Sequence, residues 1–228
     1  MEGIFSIEWF TAFGSILLLD IILSGDNAIL IALACKNLAD QQKLKAMFIG
    51  GFGAVVIRVV FTLFATGLLS IPYIEFLGGA ALLYIAAKLL TDHGRGNKSD
   101  KNKPPTLAAA VKTILAADFI MSIDNILSLA GVANTVSDGK WSLIICGLLI
   151  SIPIVLCGAQ FFLLLMRKVP AIIYAGSGIL AFTAAKMMIM DRAVGIYLVG
   201  YASYIEVMFI IMVISFGWYK NKRQAIKE

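Results

Sequence analysis

The sequence predicts an all-α membrane protein of seven spanning helices, built as an inverted repeat of three helices each plus one C-terminal helix. Three observations carry that prediction. The first is composition: 60% of the 228 residues are hydrophobic and only 14% are charged, against a soluble average of about 25% charged. Mean hydropathy is +0.91. The second is the succession of long apolar runs, and the third is a self-similarity at an offset of 98 residues.

A spanning helix takes about 20 predominantly apolar residues. Runs of that kind fall at roughly 9–34, 46–69, 72–91, 107–133, 142–166, 170–190 and 194–219. The first begins near Trp9 after an acidic leader, so no cleavable signal peptide is expected. The one long polar connection, 93–105, carries His93, Gly, Ser, Pro and alternating charge, and reads as a solvated cytoplasmic linker. With the N-terminus outside, thirteen loop Lys and Arg residues fall inside and two outside, which by the positive-inside rule predicts N-out and C-in. The net charge of +5 therefore reflects topology, and no nucleic-acid partner is expected. Cys35, Cys146 and Cys157 form no CxxC pair and read as packing residues.

Aligning 8–92 with 106–190 gives 18 identities in 85 positions without a gap. Pro72 matches Pro170, Gly78 matches Gly176, and Ala86-Ala87-Lys88 matches Ala184-Ala185-Lys186. Three is odd, so the second copy enters the membrane from the opposite side. The expected organisation is 1–92 as first repeat, 93–105 as linker, 106–190 as second repeat, and 191–228 as seventh helix and basic tail. Inverted repeats of this kind are typical of secondary transporters, with the site at the repeat interface near the membrane midplane.

The polar residues of that site stand out against the apolar background. Asp20-Ile-Ile-Leu-Ser24-Gly25-Asp26-Asn27 recurs as Asp118-Phe-Ile-Met-Ser122-Ile123-Asp124-Asn125. In a regular helix Asp20, Ser24 and Asn27 share one face, whereas Asp26 lies about 120° away from Asp20. Uniting the two carboxylates requires the helix to open, and Ser24-Gly25 is the expected place. Ile123 replaces Gly25 in the second copy and disfavours an equivalent break. Four carboxylates brought together cannot all ionise without a cation. Oxygen donors suit hard ions such as Mn²⁺, Mg²⁺ or Ca²⁺, and with a single His and no Cys in either motif, zinc and copper are disfavoured. No resident cofactor is expected.

The doubled D-x3-S-G-D-N and D-x3-S-x-D-N motif, in a duplicated seven-helix chain, resembles the TerC family, and the size and short linker resemble its YjbE-type bacterial members. That resemblance covers nearly the whole chain. It implies transport of metal ions across the cytoplasmic membrane, chiefly manganese efflux, with Asp20, Asp26, Asn27, Asp118, Asp124 and Asn125 as the metal site. Manganese over magnesium or calcium comes from the resemblance alone.

Other polar residues admit a plainer reading beside a functional one. Ser24 and Ser122 either ligate the ion or bond back to a helix carbonyl. Lys88 and Lys186 either snorkel to the surface or act as tethered counter-charges for motif aspartates. Arg58 and Glu206 fall mid-span and are expected to pair with one another; Glu206 as a proton-coupling residue is the sharper alternative. Gly50-Gly51-Phe52-Gly53 and Gly176-Ser177-Gly178 read as close-approach surfaces. Met187, Met188 and Met190 read as core or lipid-facing residues.

Three other functions compete with metal export. A cation-coupled exporter of an amino acid or similar solute needs a larger polar pocket. An intramembrane aspartyl protease also pairs two acids, but a GxGD signature is missing: Leu23 stands two before Gly25. A membrane partner for secretion machinery or metalloenzymes is compatible with export, though no soluble domain supports it as a sole role. Membrane lipid and a divalent ion are the expected partners.

Overall fold

The computed structural model describes residues 7–63, 71–92, 106–133 and 139–225. The linker 93–105, with His93, and the end of the second expected span lie outside the described residues. Every regular element among the described residues is helical, in the order α1 (Ile7–Leu23), α2 (Gly25–Cys35), α3 (Asp40–Leu63), α4 (Ile74–Thr91), α5 (Leu107–Ala133), α6 (Lys140–Lys168), α7 (Ala171–Met190), the single turn α8 (Gly195–Leu198), a 3-10 turn Val199–Tyr201, and α9 (Ala202–Ala225).

Among the described residues five helices are long and apolar enough to cross a membrane, and α1–α2 taken as one broken span makes a sixth. These six fall on six of the seven expected runs, 107–133 being the exception among the described residues. That run forms the helix α5 (Leu107–Ala133), which carries Lys112, Asp118 and Asp124. The stretch from α8 through α9 is the last span and is the least covered by protein. Its cytosol-facing end, on the expected topology, sets Lys222 over the Trp218 ring and Arg223 over Tyr219, the amphipathic chemistry of a membrane interface.

The expected break at Ser24-Gly25 is present. Ser24 has φ −99° and ψ 6°, and α2 is bent 46° from α1. Two backbone hydrogen bonds span the kink, while Asn27 N turns to the Asp26 side chain. Ser24 N donates to Asp20 O at 2.8 Å and Ala28 N to Ser24 O at 3.1 Å, so those carbonyls are not released as ligands. Its repeat equivalent, around Ile123, is uninterrupted helix within α5.

Packing follows the repeat. The offset of 98 maps α1–α2 onto α5, α3 onto α6, and α4 onto α7. The most extensive interfaces are α4 with α7, α3 with α5, and α6 with α1 and α2. Exchanging the repeats maps α4–α7 onto itself and α3–α5 onto α6 with α1–α2. The second helix of each repeat thus packs on the first helix of the other, as a two-fold exchange requires.

Small residues allow these approaches. A Cβ at Gly79 would stand 2.6 Å from Ala184 O across α4–α7, and Cβ atoms at Gly50 and Gly53 would stand 2.9 and 2.7 Å from Ile114 and Leu115 side-chain atoms across α3–α5. Each repeat's third helix starts just after its matching proline, Pro72 or Pro170, and the Pro72 turn places Tyr73 at φ 65°. Proline suits this position because it cannot extend a helix backwards. Cys35 is buried, while Cys146 and Cys157 point outward.

Candidate cation site

The kinked α1–α2 and the straight α5 bring the first aspartate of each motif towards one residue of α3. Asp20, Asp118 and Arg58 are 1%, 3% and 4% exposed. Arg58 Nη1 bonds Asp20 Oδ1, and Nη2 donates to Asp118 Oδ1 at 3.1 Å. The two motif serines complete the frame. Arg58 Nη1 lies 3.4 Å from Ser24 Oγ, Nε lies 3.4 Å from Ser122 Oγ, and Ser122 Oγ donates to Asp118 Oδ2 at 3.3 Å. A planar guanidinium presents a fork of donors at fixed angles, so it can bridge two carboxylates from different helices as an ammonium cannot.

A small cavity of about 30 Å³ opens beside this cluster, enough for a water or a single ion. It is lined by Asp20, Ser24, Asn27, Arg58, Asp118 and Ser151, with apolar walls that include Leu156. Asp20 Oδ2 and Asn27 Oδ1 are buried with no hydrogen-bond partner among the described residues. An unpartnered buried carboxylate oxygen is costly, since its desolvation is uncompensated. Two such oxygens on residues lining one ion-sized hole are the donor chemistry of a hard cation.

The expected set of motif residues divides. Asp20, Ser24 and Asn27 line the cavity together, as the i, i+4, i+7 spacing predicts, and Asp118 joins them from α5. Asp26 does not: its Oδ2 accepts from Thr183 Oγ1 of α7 at 3.2 Å, and its Oδ1 accepts from Asn27 N at 2.9 Å. A 46° kink leaves Asp26 turned away from Asp20 and towards α7. Asn125 is buried, at 7% exposed, but does not line the cavity. The Asp124 side chain lies outside the described residues. Among the described residues no three acidic, His or Cys side chains converge as a preformed metal cluster.

The expected Arg58–Glu206 pair is not formed. Arg58 turns inward to the two aspartates, while Glu206 is half-buried on the peripheral α9. Both charges fall mid-span in the sequence, but the packing gives Arg58 two nearer acids. Lys88 and Lys186 are both exposed. Residues not singled out from the sequence also contribute. Ser151 lines the cavity from α6, and Thr183 anchors Asp26. Both are polar where the other repeat has an apolar or small residue, Gly53 and Ile85, and that mismatch is the signal that points to them.

Comparison with known proteins places this arrangement among membrane proteins. The profile described as "Integral membrane protein TerC family" matches residues 5–225. The chain is similar to the uncharacterized membrane protein YjbE of Bacillus subtilis, at 36% identity over 87% of this chain and 88% of that protein. It is similar to YceF of the same organism at 28% identity over 94% and 84%. With the inner membrane protein YgdQ of Escherichia coli it shares 27% identity over 54% and 59%. No solved structure matches.

Proposed function

The chain belongs to the TerC family of integral membrane proteins, and from that premise we propose that it exports divalent metal ions, Mn²⁺ foremost, by alternating access between its two repeats. As a multi-pass protein of the bacterial cytoplasmic membrane, it belongs to ion or solute transport and not to catalysis. The proposed orientation is N-out and C-in, with the cavity near the membrane midplane.

The observation that carries the ion reading is the cavity with the unpartnered Asp20 Oδ2 and Asn27 Oδ1. On this reading the metal exchanges hydration water for Asp20, Asn27 and Asp118, with Ser24 or Ser151 completing the shell. Asp26, on the far side of the kink, serves as a relay carboxylate on the exit or entry path. Asp124 and Asn125 supply the corresponding groups of the second repeat. The cavity volume of about 30 Å³ supports a bare ion over an amino acid. A guanidinium standing between Asp20 and Asp118 leaves no place for the shared water of an aspartyl protease. Mn²⁺ in place of Mg²⁺ or Ca²⁺ follows the family resemblance.

The test is manganese accumulation in cells that depend on this protein, comparing Asp20→Asn, Asp118→Asn and Asp26→Asn at equal expression. The expected result is intracellular manganese rising several-fold with either of the first two. Clearance at the parental rate by Asp20→Asn would remove the cavity as the transport site.

A further inference from the structure

We propose that Arg58 is a tethered counter-ion that holds the cation site when it is empty and competes with the cargo for the same carboxylate oxygens. This rests on Asp20 and Asp118 being cargo ligands, as proposed above.

Among the described residues, Arg58 alone is placed to do this. It comes from α3, whereas the carboxylates it bridges come from α1 and α5, one from each repeat. Its repeat equivalent is Leu156, which lines the same cavity. The second repeat therefore brings no second arginine, and the site holds one fixed cation against two carboxylates. Two buried carboxylates left without a cation are strongly unfavourable. In a transporter that condition would arise each time cargo departs. A long side chain anchored on a third helix removes it, because the guanidinium can close on the carboxylates without backbone movement. Only one oxygen of Asp20 is used in this way; Oδ2 remains unpartnered, so an arriving metal has a first ligand before the guanidinium lets go. The cargo then completes its shell by taking oxygens that Arg58 holds. Release runs in reverse, with Arg58 reclaiming the carboxylates and lowering the barrier to metal departure.

The experiment measures Mn²⁺ affinity of purified protein in detergent by electron paramagnetic resonance of free Mn²⁺, for the parent, Arg58→Gln and Arg58→Lys, with Asp20→Asn as the ligand control. Removing the competitor is expected to tighten Mn²⁺ binding by at least about tenfold in Arg58→Gln, with Arg58→Lys in between. In cells, the tighter-binding Arg58→Gln is expected to clear manganese more slowly, because departure is no longer assisted. Millimolar methylguanidinium is expected to weaken Mn²⁺ binding in Arg58→Gln and leave the parent unaffected, a response that a purely structural arginine would not give. Equal or weaker Mn²⁺ binding by folded Arg58→Gln overturns this inference and leaves the metal site standing. Binding by neither protein overturns the metal site as well. Should Arg58→Gln fail to fold, Arg58→Lys carries the test: it keeps the charge, and affinity no tighter than the parent's overturns the proposal.

Discussion

Gly79→Ala tests whether the two repeats meet as tightly as the structure shows. The added Cβ would stand 2.5 Å from Met188 Cγ and 2.6 Å from Ala184 O. The methionine can swing aside, but the carbonyl belongs to the backbone of α7 and cannot, so α4 and α7 must separate by several tenths of an ångström. Overpacking of this kind costs about 1–3 kcal/mol, and a backbone obstacle places the cost towards the upper end. Alanine's better helix propensity returns about 1 kcal/mol. The net loss is about 1–2 kcal/mol, which for a chain of this length lowers the melting temperature by roughly 2–8 °C. Thermal unfolding of purified protein in detergent measures it, with two controls. Gly53→Ala meets only the tip of Leu115, at 2.7 Å, and Gly14→Ala meets nothing within 4 Å. The expected order of stability is Gly14→Ala, then Gly53→Ala, then Gly79→Ala. If Gly79→Ala melts at or above the parent, or Gly53→Ala loses more than it does, the close third-helix contact is wrong.

Two further outcomes follow from groups outside the site. Asp191 is 2% exposed, and its carboxylate accepts from the backbone of Phe76, Ala193 and Val194; Asp191→Ala strands those donors and should destabilise by about 2–4 kcal/mol, read as a fall in melting temperature with manganese affinity unchanged. Burial pushes the Lys36 ammonium down to about 8 from 10.5, with Asp92 opposing, and Lys36 also donates to Leu89 O. Between those values the unfolded chain holds a proton that the folded one has lost, so this group's contribution to stability rises with pH from about 8 to 10.5. Melting temperature measured across that window should climb in the parent and climb less in Lys36→Met.

What the sequence reveals depends on whether the information is local or arises from packing. Helix periodicity is local, and it placed Asp20, Ser24 and Asn27 on one face and Asp26 off it. The kink is local too, since Gly25 permits it and Ile123 does not. The repeat offset is visible in one chain, and it anticipates the reciprocal packing of second helices on opposite first helices. The partner of Arg58 is not local. It depends on α3 crossing α1 and α5 at one depth, whereas charge matching along the chain points to Glu206. The same limit explains Asp26. Its distance from Asp20 could be calculated on an ideal helix, but Thr183 as its partner required knowing how α2 lies on α7.

The structure separates a symmetric frame from an asymmetric interior. Interfaces, prolines and the first motif aspartates, Asp20 and Asp118, obey the exchange of repeats, because each half must bury the same apolar faces against the other. The departures from the exchange include three polar or charged residues at the motif aspartates, Arg58 against Leu156, Ser151 against Gly53 and Thr183 against Ile85, and the kink residue Gly25 against Ile123. A symmetric interior would offer cargo two equivalent half-sites and no preferred order of ligand exchange. Placing the single guanidinium on α3, the kink after α1, and the Asp26–Thr183 contact between α2 and α7 makes the two halves unequal. On the proposed export function, the symmetric frame serves the alternation of access, and these few side chains set how strongly the site holds a cation in each state.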